Sequence, residues 1–229
     1  MKYSKDLLKD IIGWDVRNWA EAIKLWDTVL QSPSDPALAL ELGAREGGLS
    51  LYLALKGFQV VCSDVANPEK LARSKHAGYG VEESVTYTAA NATALQFENS
   101  RFDVVAFKSI LGTIGRENHP ELQQAAIREI YRVLKPGGVL LFAENLRGTG
   151  FHRFFRKFTK WGRYWRYVSV EEIRQFHREF SSFNYGTFGF AGSFGRNESQ
   201  RRALHYLDRL IDPILRDRHK YIIYGCARK

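Results

Sequence analysis

An α/β fold with helices on both faces of a mostly parallel sheet is what this chain predicts, on three observations. Apolar runs of strand length alternate with helix-like stretches from residue 37 to residue 145, the pattern of successive βαβ units. Within the first unit, Ala37 to Asp64, the apolar run Ala37 to Leu42 enters a glycine-bearing turn, Gly43 to Gly48, and the second run, Phe58 to Cys62, ends in an acid. Further on, Pro120 to Leu134 reads as an amphipathic helix that Lys135-Pro136-Gly137-Gly138 turns into the strand Val139 to Ala143.

The elements follow in order. Residues 5–31 read as helical, with Trp14, Trp19, Ile23, Trp26 and Leu30 spaced near three, four and seven, and Gly13 separating a short helix from a longer one. Pro33 and Pro36 end this region, so residues 1–36 form a helical extension ahead of a domain over 37–229. Its tryptophans either pack the helices onto the domain or cap an active site. Asn67-Pro68 starts another helix to about Ala77, Val85 to Ala89 is a third strand, and Phe102 to Phe107 a fourth. Beyond them Ser169 and Glu172 form a capping box for a helix from Val170 to Glu179. Phe183 to Phe190 reads as a strand, residues 191–196 as a glycine loop, Glu198 to Ile211 as a helix and Tyr221 to Ala227 as a last strand.

Glycine belongs in the first turn wherever the backbone bends sharply or approaches a ligand, and an acid about twenty residues on can accept from both hydroxyls of a ribose. Gly43, Gly47 and Asp64 stand at those places. Glu41-Leu42-Gly43-Ala44-Arg45-Glu46-Gly47 resembles the acid-x-Gly-x-Gly-x-Gly turn of class I S-adenosylmethionine-dependent methyltransferases of the small-molecule type, and the turn before Val139 is similar to the one that precedes their fifth strand. The resemblance covers residues 37–145. It implies a Rossmann-like three-layer sandwich with a seven-stranded sheet, the last strand antiparallel and the N-terminal helices as a cap. It also implies S-adenosyl-L-methionine as cofactor, held by Glu41, Gly43, Ala44, Gly47, Asp64, Val65, Asn91, Ala92, Lys108 and Ser109. Glu41 suits a cationic ammonium group. Two positions depart from the pattern: Arg45 replaces the middle glycine, with its side chain free to reach solvent, and Asn91 replaces an acid, leaving an amide oxygen to accept from the adenine amino group.

For a methyl acceptor that must lose a proton, the candidate bases are Glu144, His152 and His119; a lone histidine is more often structural. No acidic cluster or Cys/His set specifies a metal. Cys62 and Cys226 lie in strands and read as buried free thiols. An Asn/Asp-Pro-Pro-Tyr/Phe sequence after the fourth strand is absent, which argues against methylation of a DNA base amine.

Charge is divided unevenly within a net +9: residues 1–120 hold 13 Lys or Arg against 15 Asp or Glu, and residues 121–229 hold 21 against 10. An anionic partner for the second half follows. Between Arg147 and Arg166 there are seven basic residues and no acid. Drawn as one helix, Phe151, Phe154, Phe155, Phe158, Trp161 and Trp165 share a face opposite Arg153, Arg156, Lys157, Lys160 and Arg163. Three roles fit this basic aromatic insertion at residues 147–168: an aromatic face packed on the core, recognition of an anionic acceptor such as a phosphorylated or nucleotide-linked sugar, or contact with an anionic membrane through residues 151–165. With no run of eighteen apolar residues and no apolar signal core, the expected location is cytoplasmic, at most peripheral to the inner face of the membrane.

The expected function is transfer of a methyl group to an oxygen of a small molecule or sugar, with a slight likeness to methyltransferases of bacterial surface-polysaccharide pathways. RNA methylation and a non-catalytic cofactor-binding or membrane-associated partner are the alternatives. Oligomeric state leaves no mark on the sequence.

Overall fold

The computed structural model describes residues 3–159 and 162–229. Seven strands form one sheet: β1 (Leu38–Leu42), β2 (Gln59–Asp64), β3 (Val85–Ala89), β4 (Phe102–Lys108), β5 (Leu134–Asn145), β6 (Ser182–Phe188) and β7 (Ile222–Arg228). Their order is β3-β2-β1-β4-β5-β7-β6, with β7 antiparallel to both its neighbours. Between them run α1 (Lys5–Ile12), α2 (Val16–Val29), α3 (Gly48–Leu55), α4 (Glu69–Gly78), α5 (Leu111–Ile114), α6 (Pro120–Val133), α7 (Gly150–Arg156), α8 (Val170–Phe176) and α9 (Glu198–Ile211). This is the expected seven-stranded α/β architecture.

Two apolar clusters fill the space on either face of the sheet. One joins Ile11, Trp19, Ile23 and Trp26 of the first two helices to Leu51 and Leu53 of α3 and to Val104 and Leu141. The other joins Ile127 and Ile130 of α6 and Ile173 of α8 to Leu40, Val105, Leu140 and Phe142. Alternate residues of β1, β4 and β5 supply both clusters, as a sheet covered on both faces requires. Trp26 is fully buried and its indole N–H donates to the Gly225 carbonyl at 3.0 Å, so α2 is tied to β7 by a hydrogen bond as well as by packing.

The break between the strand order on the two sides of β1 opens a crevice at the carboxyl ends of β1 and β4, where such sheets bind ligands. The α1–α2 pair covers this edge. A Cβ on Gly48 would lie 2.2 Å from the Ile11 carbonyl oxygen, so α1 ends directly on the start of α3. Only a glycine permits that approach.

The basic aromatic insertion differs from its sequence reading. Instead of one long helix, α7 stops at Arg156, and a Cβ on Gly162 would meet the Arg156 carbonyl at 2.4 Å, so the chain folds back on the end of α7. Glycine is a poor helix former and suits this close return. The supposed aromatic face is not packed on the core: Phe151, Phe154, Phe155 and Phe158 are exposed. Arg156 leaves the basic face, donating to the carbonyls of Leu146 and Arg147 with its guanidinium 3.7 Å from the Tyr167 ring centre. Trp165 is half-buried beside Gly112, and Lys160 and Trp161 lie outside the described residues. Cys62 is buried and free, whereas Cys226 is free and half-buried. Among the described residues no helix is long and apolar enough to cross a membrane.

Trp26→Ala is expected to lower unfolding free energy by about 3–5 kcal/mol, and Trp26→Phe, which keeps most of the packing, by about 1 kcal/mol for the lost hydrogen bond. Urea denaturation followed by circular dichroism checks both; equal losses in the two variants would show that the bond to Gly225, not burial, holds α2.

Candidate functional site

The crevice is built from the β1 turn outward. Gly43 and Gly47 both have left-handed φ, +68° and +71°, and a Cβ on Gly43 would lie 2.3 Å from Ile110 Cγ2. Gly47 is backed by His76, whose Nε2 lies 2.9 Å from the Gly47 carbonyl and whose Nδ1 lies 2.8 Å from the Tyr87 hydroxyl. These partners fix the tautomer, with Nε2–H donating to the carbonyl and Nδ1 accepting from the phenol. Burial lowers the His76 pKa, keeping the ring neutral. Nothing in the local sequence marks His76 for this task, since it reaches the turn from α4.

Glu41 is buried and does not face the crevice as a free carboxylate. It accepts from Leu49 N at 3.0 Å, Ser50 N at 2.7 Å and Ser50 Oγ at 2.6 Å, capping the first turn of α3. Burial raises its pKa to about 7 against the lowering effect of those bonds. Its position therefore gives it a bracing role where the sequence suggested an ammonium partner.

Arg45 adopts the left-handed conformation of the glycine it replaces, with φ +49°, at a cost of about 1–2 kcal/mol. Its side chain is exposed, and its N–H donates to Asp64 Oδ2 at 2.8 Å. Asp64 Oδ1 accepts from Val65 N at 2.6 Å. Each oxygen keeps a further lone pair, so the carboxylate is held at the crevice and can still accept from a diol. Val65 beside it is 81% exposed, an apolar side chain left in solvent next to the carboxylate. Ala44 is buried and donates its N–H to Ser63 O.

Asn91 departs from its expected use. Its Oδ1 accepts from Thr93 N at 3.0 Å and from Thr93 Oγ1 at 2.9 Å, so the amide offers its NH₂ rather than its oxygen to a ligand. Asn91 and Ala92 follow the carboxyl end of β3.

At the end of β4, Lys108 extends beneath the cap. Its Nζ lies 4.6 Å from the ring centres of both Trp14 and Trp19. Burial lowers its pKa to about 7, opposed by the carboxylates of Asp15 and Glu144. Asp15 is buried; Oδ2 accepts from the Tyr221 hydroxyl, while Oδ1 has no hydrogen-bond partner in the protein, and the Trp19 indole N–H likewise has none. Burial raises the Asp15 pKa to about 7. A cation, a carboxylate oxygen and an indole donor thus gather beneath one cap with hydrogen-bonding capacity to spare. Sequence reasoning missed Asp15 because its partners, Glu198 and Tyr221, lie 183 and 206 residues away.

The three candidate bases are otherwise engaged. Glu144 is buried and accepts from Leu111 N and Asn145 N, each at 2.7 Å, bracing the turn after β4; burial raises its pKa to about 7. Asn145 in turn donates to Ser109 Oγ. His152 completes a capping box with Thr149 and donates from Nε2 to Phe190 O at 3.0 Å, its pKa lowered to about 4 by burial. His119 is on the surface beside Glu121, 2.5 Å away. The glycine loop is likewise spoken for: the N–H groups of Phe190, Ala191 and Gly192 converge on Asp208, which leaves them no anion to bind from outside. Among the described residues no three His, Cys, Asp or Glu side chains gather as a metal site.

Residues 40–142 match the methyltransferase domain family. The chain is 31% identical over 158 residues to the ubiquinone/menaquinone biosynthesis C-methyltransferase UbiE of Shewanella frigidimarina, a match over 66% of this chain and 58% of that protein. It thus spans somewhat over half the length of the curated relatives it matches. Its fold is similar to that of phosphoethanolamine N-methyltransferase 2 of Haemonchus contortus in complex with phosphomonomethylethanolamine and S-adenosylhomocysteine, with TM-score 0.65, 18% identity, and coverage of 92% of this chain and 52% of that one. A Methanosarcina mazei S-adenosylmethionine-dependent methyltransferase aligns over 89% of this chain and 96% of its own, with TM-score 0.58 and 20% identity.

Lys108 gives the site a pH signature. Its folded pKa, about 7, lies below the ordinary 10.5, so below pH 7 the folded state bears the full cost of burying the ammonium. That cost fades as pH rises between the two values, because the unfolded chain still binds a proton that the folded one has released. Lys108→Met is therefore expected to raise thermal stability most at about pH 6–7 and progressively less toward about pH 10. A constant difference across that window, read by scanning calorimetry, would contradict the placement of Nζ beneath the indoles.

Proposed function

From a chain that carries a class I S-adenosylmethionine-dependent methyltransferase domain, we infer an enzyme that transfers a methyl group from S-adenosylmethionine to a small-molecule acceptor. The observation that carries this reading is the crevice itself: Asp64, held by the N–H groups of Arg45 and Val65, beside an exposed apolar side chain and a glycine turn braced by Glu41 and His76.

The residues present fit the cofactor. Asp64 would take the ribose hydroxyls, Val65 one face of the adenine, and the Asn91 NH₂ with the Ala92 backbone its edge. Gly43, Ala44 and Gly47 would shape the floor under the methionine part, with Glu41 fixing the turn from behind. Lys108 and Ser109 stand at the end of β4, next to where the acceptor must enter. When bound, the cofactor supplies a methyl on a cationic sulfur, open to in-line displacement, so catalysis is largely a matter of alignment.

An acceptor oxygen must also lose its proton. Lys108, with a pKa near neutrality, is the group we assign to receive it, and Asp15 Oδ1 would orient the acceptor or stabilise the resulting ammonium. Glu144, His152 and His119 are not assigned this role, because their hydrogen bonds are already used or they lie on the surface. An oxygen of a small molecule or sugar is the acceptor we favour, on the spare hydrogen-bonding groups under the cap; a surface-polysaccharide precursor fits that chemistry. A carbon acceptor is the second reading, on the likeness to a C-methyltransferase.

Calorimetric titration should show S-adenosylmethionine and S-adenosylhomocysteine binding at about micromolar Kd, weakened at least about tenfold in Asp64→Ala for the loss of charge-assisted hydrogen bonds, with the acceptor-side variant Lys108→Met within a few-fold of wild type. Absence of binding to the unaltered chain would sink the reading.

A further inference from the structure

We propose that Phe151, Phe154, Phe155 and Phe158, with Tyr164 and the basic side chains beside them, form a docking surface for an anionic lipid bilayer. The observation is a group of large apolar side chains that the fold leaves in solvent. Phe151 is 67% exposed, Phe154 56%, Phe155 51%, Phe158 72% and Tyr164 62%. Phe154 packs edge-on against Phe155 and Phe158, at 5.5 and 5.2 Å between ring centres, so three of them form one raised cluster rather than scattered single residues. Phe155 also rests on Phe194 at 5.4 Å, which anchors the cluster to the body of the protein. Scattered exposed apolar residues are ordinary; a contiguous group of this kind marks an interaction surface.

Charge identifies the occupant. Arg153, Lys157 and Arg163 are exposed in the same segment, and among the described residues no carboxylate pairs with them. There is no acid anywhere from Arg147 to Arg166. Arg153 also lines a cleft of about 530 Å³ with Arg147, Arg218 and His219, in which Glu171 is the one acid and Arg147 pairs with Glu172 at 3.0 Å. Aromatic side chains that enter the headgroup layer, surrounded by cations and next to a basic cleft of headgroup size, suit a surface that presents both apolar chains and phosphates. A soluble anion would use the cleft but gain nothing from the phenylalanines. The surface follows β5 by a few residues, so it lies on the same edge of the sheet as the crevice. This binding does not depend on the proposed methyl transfer.

The test is flotation of the whole chain with vesicles of phosphatidylcholine alone and of phosphatidylcholine mixed with phosphatidylglycerol. Binding is expected only to the anionic vesicles, falling with salt. Phe151→Ser with Phe158→Ser should weaken it by on the order of tenfold or more, and Arg153→Glu with Lys157→Glu by at least about fivefold per residue. Because all four side chains are exposed, melting temperatures should match wild type, and cofactor titration in vesicle-free buffer should be unchanged. No binding, or equal binding to neutral vesicles, would overturn the proposal. So would self-association or RNA binding that the same substitutions abolish while vesicles remain unbound.

Discussion

The carboxylate of Glu41, near the end of β1, is the constraint on which the rest of the molecule depends. Its two oxygens take the N–H groups of Leu49 and Ser50 in the first turn of α3 and the Ser50 hydroxyl, so a strand and the helix that follows it are joined across the glycine turn. A buried charge without such partners would cost far more than this packing returns. With them, the turn from Gly43 to Gly47 has one conformation, His76 holds it from behind, and Arg45 N–H is aimed at Asp64. The shape of the turn at the end of β1 is a consequence of that bracing.

The other half of the site is assembled from pieces far apart in the chain. Glu198, at the start of α9, accepts from the N–H groups of Asp15 and Val16, fixing the start of α2. Asn18 joins Asp208 and Tyr221, at 3.0 and 2.7 Å, and Tyr221 returns to Asp15. Through this buried network the C-terminal helix and strand set where Trp14, Asp15 and Trp19 lie over Lys108. Helices that pack the core therefore also form the roof, and the two roles considered for the N-terminal tryptophans are not exclusive. Trp19 and Trp26 fill the core, whereas Trp14 stays half-buried beside the Lys108 ammonium.

Much of this was legible before any coordinates. Strand and helix periodicity placed the sheet, Ser169 and Glu172 announced a capping box that is present, and the turn at Gly43 and the acid at Asp64 are brought together through the Arg45 N–H. What stayed hidden has two physical causes. Helical periodicity counts faces but does not see a chain turning back: Gly162 against the Arg156 carbonyl ended the helix drawn through residues 151–165 and left its phenylalanines in solvent. Long-range partners are equally invisible, which is why Asp15, His76 and Tyr221 went unmarked. The same blindness made Glu144 and His152 look available, when backbone groups elsewhere had already claimed them.

A crystal structure with S-adenosylhomocysteine bound tests the central claim most directly. Ribose hydroxyls are expected on the Asp64 carboxylate, adenine between Val65 and Asn91-Ala92, and the sulfur turned toward the space beneath Trp14 and Lys108. Ligand bound away from the carboxyl ends of β1 and β2, or with Asp64 making only its contacts to Arg45 and Val65, would contradict it.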